Sequence, residues 1–267
     1  MDKPKTIYKY EGFNTNSLRN LKAQSLYFGS PMGFNDPYDC ALSATIDDLS
    51  EEGIDTIRCL YSQEKDVAEK VKQEFLTLSN AEIQEKITKI ALNEIASHKD
   101  EFLKSNGVAC FSEVNDDLLM WSHYGGRYKG FCLEFSTKSE LFGKLRKIEY
   151  QSKMPAIDLV KLLIDDNDEQ ILQIFLTKSE SWSYEKEWRL IHNGAGTSYV
   201  YEPNALKAIY FGPDIAFEAL EIVCLILHGQ NPNVEFWRGT RSADEFKVNF
   251  EQFNYMSFLE ATKRGLK

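Results

Sequence analysis

From about Leu49 to Ser105 the sequence is helical and charged, and short strand-like segments lie on both sides of that block. This grouping constrains the fold more than any single motif, because a doubly wound sheet needs strand and helix in regular alternation. The clearest period falls at the end of the block, where Ile83, Ile87, Ile90, Ala91, Ile95 and Phe102 form one apolar stripe. Asn80 is the expected N-cap and Gly107 the expected stop. His98 shares the stripe and reads as a packed residue. Strands are expected at Thr6 to Tyr10, Ser25 to Ser30, Cys40 to Ile46, Gly107 to Ser112, Lys129 to Ser136, Leu145 to Tyr150, Glu187 to His192, Ser198 to Glu202, Ala208 to Phe211, Val234 to Trp237 and Phe246 to Phe250. Helices are expected at Ser17 to Lys22 with Asn16 or Ser17 as cap, after Asn115-Asp116-Asp117, from Ala156 to about Glu180, and near Ala216 to Leu227. The expected fold class is α+β: a mixed, mainly antiparallel sheet core with an inserted helical segment at 49–106. With no linker or internal repeat, residues 1–267 read as a single domain.

Five cysteines are scattered, with no Cys-x-x-Cys pair, so reduced and mostly buried thiols are expected. The net charge of -10 disfavours non-specific binding to nucleic acid or anionic lipid. The amino terminus lacks the apolar stretch of a signal peptide, and Ile222 to Leu227 is far too short to span a bilayer. A cytoplasmic address and no membrane association are therefore expected.

Phosphate-loop, dinucleotide-binding, zinc-protease and serine-hydrolase motifs are absent from the sequence. Four histidines stand apart and never at metal-ligand spacing, so no metal is expected. Three polar stretches remain. Trp182 to Leu190 reads Trp-Ser-Tyr-Glu-Lys-Glu-Trp-Arg-Leu; if extended, it sends Glu185, Glu187 and Arg189 to one face and Lys186, Trp188 and Leu190 to the other. Paired carboxylates suit acid/base work or the holding of a cationic transition state, and equally a structural ion-pair network closed by Arg189. Phe34-Asn35-Asp36-Pro37-Tyr38-Asp39 is either a rigid turn or a place where Asn35 and Asp36 reach ribose hydroxyls or an amide. Leu119 to Gly125 puts Trp121, His123 and Tyr124 in the last turn of a short helix, where a cation is favoured. There Trp121 reads as core, and the Gly125-Gly126 turn leaves room for a ligand beside His123.

These segments resemble an uncharacterised bacterial family, domain of unknown function 2971. The resemblance rests on Tyr8-Lys9-Tyr10, Leu26-Tyr27-Phe28, Phe34 to Pro37, Cys110-Phe111-Ser112, Met120 to Tyr124, Gly130 to Phe135 and Trp182 to Arg189. Glu185-Lys186-Glu187 also resembles the Glu-x-Glu element of ADP-ribosyltransferases. That resemblance implies that the second glutamate binds the nicotinamide ribose and stabilises an oxocarbenium-like transition state. It further implies an Arg or His on an early strand, where Lys9 or Tyr10 stands here, and a Ser or Tyr on a middle strand, where Ser112 stands.

Two readings follow. In the first, a nucleotide-processing enzyme, ADP-ribosyltransferase-like or NAD-hydrolysing, acts as a bacterial defence or toxin effector with NAD as substrate. Catalysis then falls to Glu187, Glu185 and His123, and substrate binding to Tyr10, Asn35, Asp36, Ser112, Trp121, Tyr124 and Arg189. In the second, the chain is a non-catalytic ligand-binding or sensor module. A Mg²⁺-dependent nuclease using Asp36, Asp39, Glu134 and Glu187 is a third option, disfavoured by the acidic charge. No motif specifies a cofactor or a protein partner.

Overall fold

A computed structural model describes residues 3–40, 45–63, 65, 67–158, 160–161 and 169–266. The strands in chain order are β1 (Thr6–Glu11), β2 (Ser25–Phe28), β3 (Thr45–Ile46), β4 (Gly107–Ser112), β5 (Phe131–Ser136), β6 (Arg146–Lys147), β7 (Glu149–Gln151), β8 (Ala156–Ile157), β9 (Thr177–Ser179), β10 (Glu187–His192), β11 (Thr197–Val200), β12 (Leu206–Phe211), β13 (Glu235–Arg241) and β14 (Val248–Phe253). The class is α+β with a mainly antiparallel mixed sheet. The chain divides into two compact units, residues 1–30, 106–148 and 181–267 in the first and 31–105 and 149–180 in the second.

The first unit is built on an eight-stranded sheet in the order β14-β13-β12-β5-β1-β4-β10-β6. Only β12 and β13 run parallel, and the helix Phe217–His228 supplies the crossover that a parallel pair requires. Side chains alternate across the sheet, so each strand feeds two environments. One face carries Ile7, Phe111, Phe131, Leu133, Phe135, Trp188, Leu190, Ile209 and Phe211 into the main core, against Leu21 of the helix Thr15–Lys22 and Leu220, Val223 and Leu227 of Phe217–His228. The other face carries Tyr10, Cys132, Ala208 and Tyr210 into a smaller aromatic cluster with Trp121.

The second unit packs the helices Glu51–Gln63, Glu69–Thr77 and Asn80–Ser105 around Ile54, Ile57, Phe75, Ile83, Ile87 and Ala91. It also holds the short parallel pairs β3 with β8 and β7 with β9. Three helices lie within 49–105, and the unit containing that segment also takes in 31–48 and 149–180.

Several expected boundaries move for physical reasons. Asn14, not Asn16 or Ser17, caps the first helix, accepting the Asn16 and Ser17 N–H groups on its Oδ1 at 3.0 Å each. Ser79, not Asn80, caps the long helix, because Glu82 accepts the Ser79 N–H at 2.8 Å and its own N–H donates to Ser79 Oγ at 3.4 Å. Ala156 to Glu180 is not one helix: Ala156–Ile157 and Thr177–Ser179 are drawn into strand pairs, and 162–168 lie outside the described residues. Of Cys40 to Ile46, residues 41–44 likewise lie outside them. Among the described residues, no helix is long and apolar enough to cross a membrane.

Candidate functional site

The strand register turns scattered sequence motifs into rows. Tyr8 lies opposite Ser112 on β4 and Glu134 on β5, and Ser112 lies opposite Glu187 on β10. Glu187, Ser112, Tyr8 and Glu134 therefore form one row across four adjacent strands on the polar face. The next row runs Tyr10, Cys132, Tyr210, Trp237 across β1, β5, β12 and β13. Lys9 alternates away from Ser112, so on β1 it is Tyr8, and neither Lys9 nor Tyr10, that stands beside the serine.

The expected common face of Glu185, Glu187 and Arg189 holds for the last two only. Glu185 ends the 3-10 turn Glu180–Glu185, Lys186 takes a left-handed backbone (φ 44°), and β10 begins at Glu187. Tertiary hydrogen bonds hold this turn and override the local alternation. Ser112 Oγ donates to the Glu185 carbonyl at 2.7 Å and accepts the Val114 N–H at 3.1 Å, and the Glu113 N–H donates to the Lys186 carbonyl at 3.2 Å.

Arg189 grips Glu187 through two parallel bonds, Nε to Oε1 at 2.7 Å and Nη2 to Oε2 at 3.0 Å. The side chains are 0% and 5% exposed, so the carboxylate meets its counter-charge out of water. Cys110, opposite Arg189 in register, has its thiol pushed well up, first by burial and then by the Glu187 charge. Glu185 is buried too and accepts the Tyr124 hydroxyl at 2.6 Å on Oε1.

Asp117 caps the helix Leu118–His123 by accepting the Leu119 and Met120 N–H groups at 2.8 and 2.9 Å. That fixes Trp121 inward, wholly buried, its Nε1 donating to the Asn115 carbonyl at 2.7 Å. Tyr10 meets the Trp121 ring edge-on at 5.2 Å and donates its hydroxyl to the Val114 carbonyl at 3.0 Å. Burial pushes the Tyr10 phenol far up, which keeps it a neutral donor. His123 stays exposed, its ring 6.1 Å from those of Tyr124 and Trp182. The room expected beside the glycines is taken by the chain itself. A Cβ on Gly125 would meet the Trp121 ring, and one on Gly126 the Gly12 backbone.

Tyr10, Ser112, Trp121, His123, Tyr124, Glu185, Glu187 and Arg189 thus come together within the first unit, whereas Asn35 and Asp36 belong to the second. There Asp36 is buried and accepts the Tyr38 N–H on Oδ1 at 2.9 Å, and the Asp39 N–H donates to the Asp36 carbonyl at 3.1 Å. This is a turn closed on its own side chain. Asn35 is exposed beside it. Asp39 pairs with Lys178 at 3.3 Å, both side chains 4% exposed. Among the described residues, no group of three or more His, Cys, Asp or Glu side chains is placed to hold a metal ion.

Tyr8 and Glu134 are the site residues that the motifs did not single out as a pair. Tyr210 donates its hydroxyl to Glu134 Oε2 at 2.6 Å, and the Tyr8 phenol is pushed up to about 12 by burial and then by the Glu134 charge. A signal existed: Glu134 is the one acid in β5, and strand parity sets it opposite Phe131, Leu133 and Phe135.

The fold and site thus define an α+β protein whose central sheet has one apolar and one polar, aromatic face. Residues 120–190 match a family model described as Protein of unknown function (DUF2971), so over that segment the resemblance to domain of unknown function 2971 is borne out. The segment runs from the Trp121 helix into β10 and holds His123, Tyr124, Glu134, Glu185, Glu187 and Arg189. No curated protein and no solved structure matches the chain.

Proposed function

We propose that the polar sheet face is the site of a nucleotide-processing enzyme, ADP-ribosyltransferase-like or NAD-hydrolysing, that acts as a bacterial defence or toxin effector. The observation that carries the reading is the row of Tyr8, Ser112 and Glu187 on three adjacent strands. Early-strand Tyr8, middle-strand Ser112 and the second glutamate of Glu-x-Glu stand side by side, which supports the reading, with Tyr8 in place of the Arg or His that the resemblance to ADP-ribosyltransferases implies.

In this chemistry the bond between ribose C1′ and the nicotinamide nitrogen breaks, and its electron pair leaves with neutral nicotinamide. A carboxylate beside C1′ stabilises the positive charge left on the sugar, and water or an acceptor hydroxyl adds there and gives up a proton. Glu187 is the carboxylate for the sugar, with Arg189 fixing its plane. Glu185, held by Tyr124, orients the nucleophile, and His123 takes its proton. Tyr8 and Tyr10 contact the bound nucleotide, and buried Trp121 supports the Tyr10 ring.

The test is to incubate purified protein with NAD and follow nicotinamide release. Wild type turns over, and Glu187→Gln, checked for a native circular dichroism spectrum, loses about 10²-fold or more of the rate. Retained activity in a folded Glu187→Gln protein sinks the assigned role. Growth arrest on expression, relieved by the same substitution, tests the effector role.

A second reading, a ligand-binding or sensor module, is favoured by one observation: Glu187 is already neutralised by Arg189, with both side chains buried. Absence of turnover by wild type moves the assignment to this module.

A further inference from the structure

The polar face has a second feature, of which the catalytic reading uses Tyr8 alone. On β12 and β13 the rings of Tyr210 and Trp237 stack, 5.8 Å apart with an interplanar angle of 19°, and make one aromatic wall whose Tyr210 is buried, with Phe250 against it at 4.9 Å. Tyr8 meets Tyr210 at 75° with centroids 6.0 Å apart and forms a second wall nearly at right angles to the first. Glu134 neighbours Tyr8 in register, and its Oε2 accepts the Tyr210 hydroxyl, which sets the carboxylate where the two walls meet. Tyr8, Glu134 and Trp237 are all partly exposed. Among the described residues, no Lys or Arg lies within ion-pair distance of Glu134.

We infer that this aromatic corner is a binding site for a methylated ammonium group. Ring faces are negative, so two perpendicular walls attract a cation that fits between them, and the carboxylate without a counter-ion adds charge complementarity. A primary ammonium carries three N–H donors and a tight hydration shell, and ring faces satisfy those donors poorly. A trimethylammonium head has no N–H donors, and its methyl groups pack against the rings. The inference does not rest on the catalytic reading, since a site that binds such cations satisfies it with or without turnover of NAD.

The test is equilibrium binding to the full chain by calorimetry, with choline compared with its neutral isostere 3,3-dimethylbutan-1-ol. Choline binds at least about tenfold tighter than the isostere, a difference of about 1.4 kcal/mol. Glu134→Gln keeps an oxygen for the Tyr210 hydroxyl and removes the charge, so it weakens choline by about tenfold and leaves the isostere unchanged. Trp237→Leu weakens choline further. Equal binding of cation and isostere, absence of choline binding, or undiminished binding by folded Glu134→Gln overturns the inference. A trimethyllysine peptide that binds more tightly than choline assigns the head group to a protein side chain, and the reverse order assigns it to a free small molecule. Nicotinamide release from NAD is measured separately, so failure of one proposal does not decide the other.

Discussion

The two faces of the eight-stranded sheet are cut from the same strands but obey different rules. On β10, Trp188 and Leu190 enter the main core, while Glu187 and Arg189, one residue out of phase, bond each other on the opposite side. On β5, Leu133 and Phe135 face the core, while Cys132 and Glu134 face the aromatic cluster. The apolar face is held by area and volume, which many side chains supply nearly equally well. The polar face is held by directed bonds between particular atoms, and a change that leaves one partner buried and unpaired is costly. The same sheet thus offers one tolerant surface and one exacting surface.

This contrast is open to breaking. The largest effect is expected at Arg189. Arg189→Met removes the counter-charge of the buried Glu187 carboxylate and costs about 3–5 kcal/mol in urea unfolding, whereas the double variant Arg189→Met, Glu187→Leu is less destabilised than Arg189→Met alone. A double variant no better than Arg189→Met would show that the pair's bonds to each other are not what the polar face depends on. Ser112→Ala comes next. It leaves the Glu185 carbonyl and the Val114 N–H without the hydroxyl that joins them, at a cost of about 1–3 kcal/mol by the same measurement. A neutral result would show that the turn before β10 stands without that bridge. On the apolar face, Leu133→Met costs less than about 1.5 kcal/mol although Leu133 is only 6% exposed, and a larger loss would erase the distinction between the faces.

A separate effect is alkaline. Tyr8 rises from 10.0 to about 12 on folding, and Cys224, under the apolar face, rises from 9.0 to about 12. Burial is the first cause for both, with the Glu134 charge second for Tyr8 and the Glu221 charge second for Cys224. Each group is neutral when protonated, and folding favours that form. Their contributions are complete below pH 9 for Cys224 and pH 10 for Tyr8 and are lost as pH rises to about 12. Cys224→Ala should flatten the fall in stability from pH 9, and Tyr8→Phe only the part above pH 10. An unchanged slope in both would remove these two groups as its cause.

Much of the fold was legible in the sequence because it depends on periodicity. β10 falls at Glu187–His192 as alternation placed it, and the stripe from Ile83 to Phe102 lies on the long helix. Boundaries failed where a side chain reached a short distance along the chain to close a cap, as Asn14 and Ser79 do. The site was legible only as separate motifs. Tyr10, Trp121 and Tyr184 pack in or against one cluster although more than a hundred residues separate the first from the second. Tyr8 was obscured because residue type does not separate it from Tyr10 and Lys9 is the one cation among them, and only pairing with Ser112 selects between neighbours on one strand.

The sequence by itself determined the α+β class, the helical block and the supply of carboxylates and aromatics, since all of these follow from local pattern and composition. Tertiary structure decided which of them meet. It broke Glu185 away from Glu187 with a left-handed Lys186 held by hydrogen bonds to a distant strand. It also closed Arg189 onto Glu187 in a buried pair and set Tyr8 and Glu134 in the row that Glu187 begins. The physical reason is that strand register is a relation between segments, set by long-range pairing, and no window along a single segment contains it.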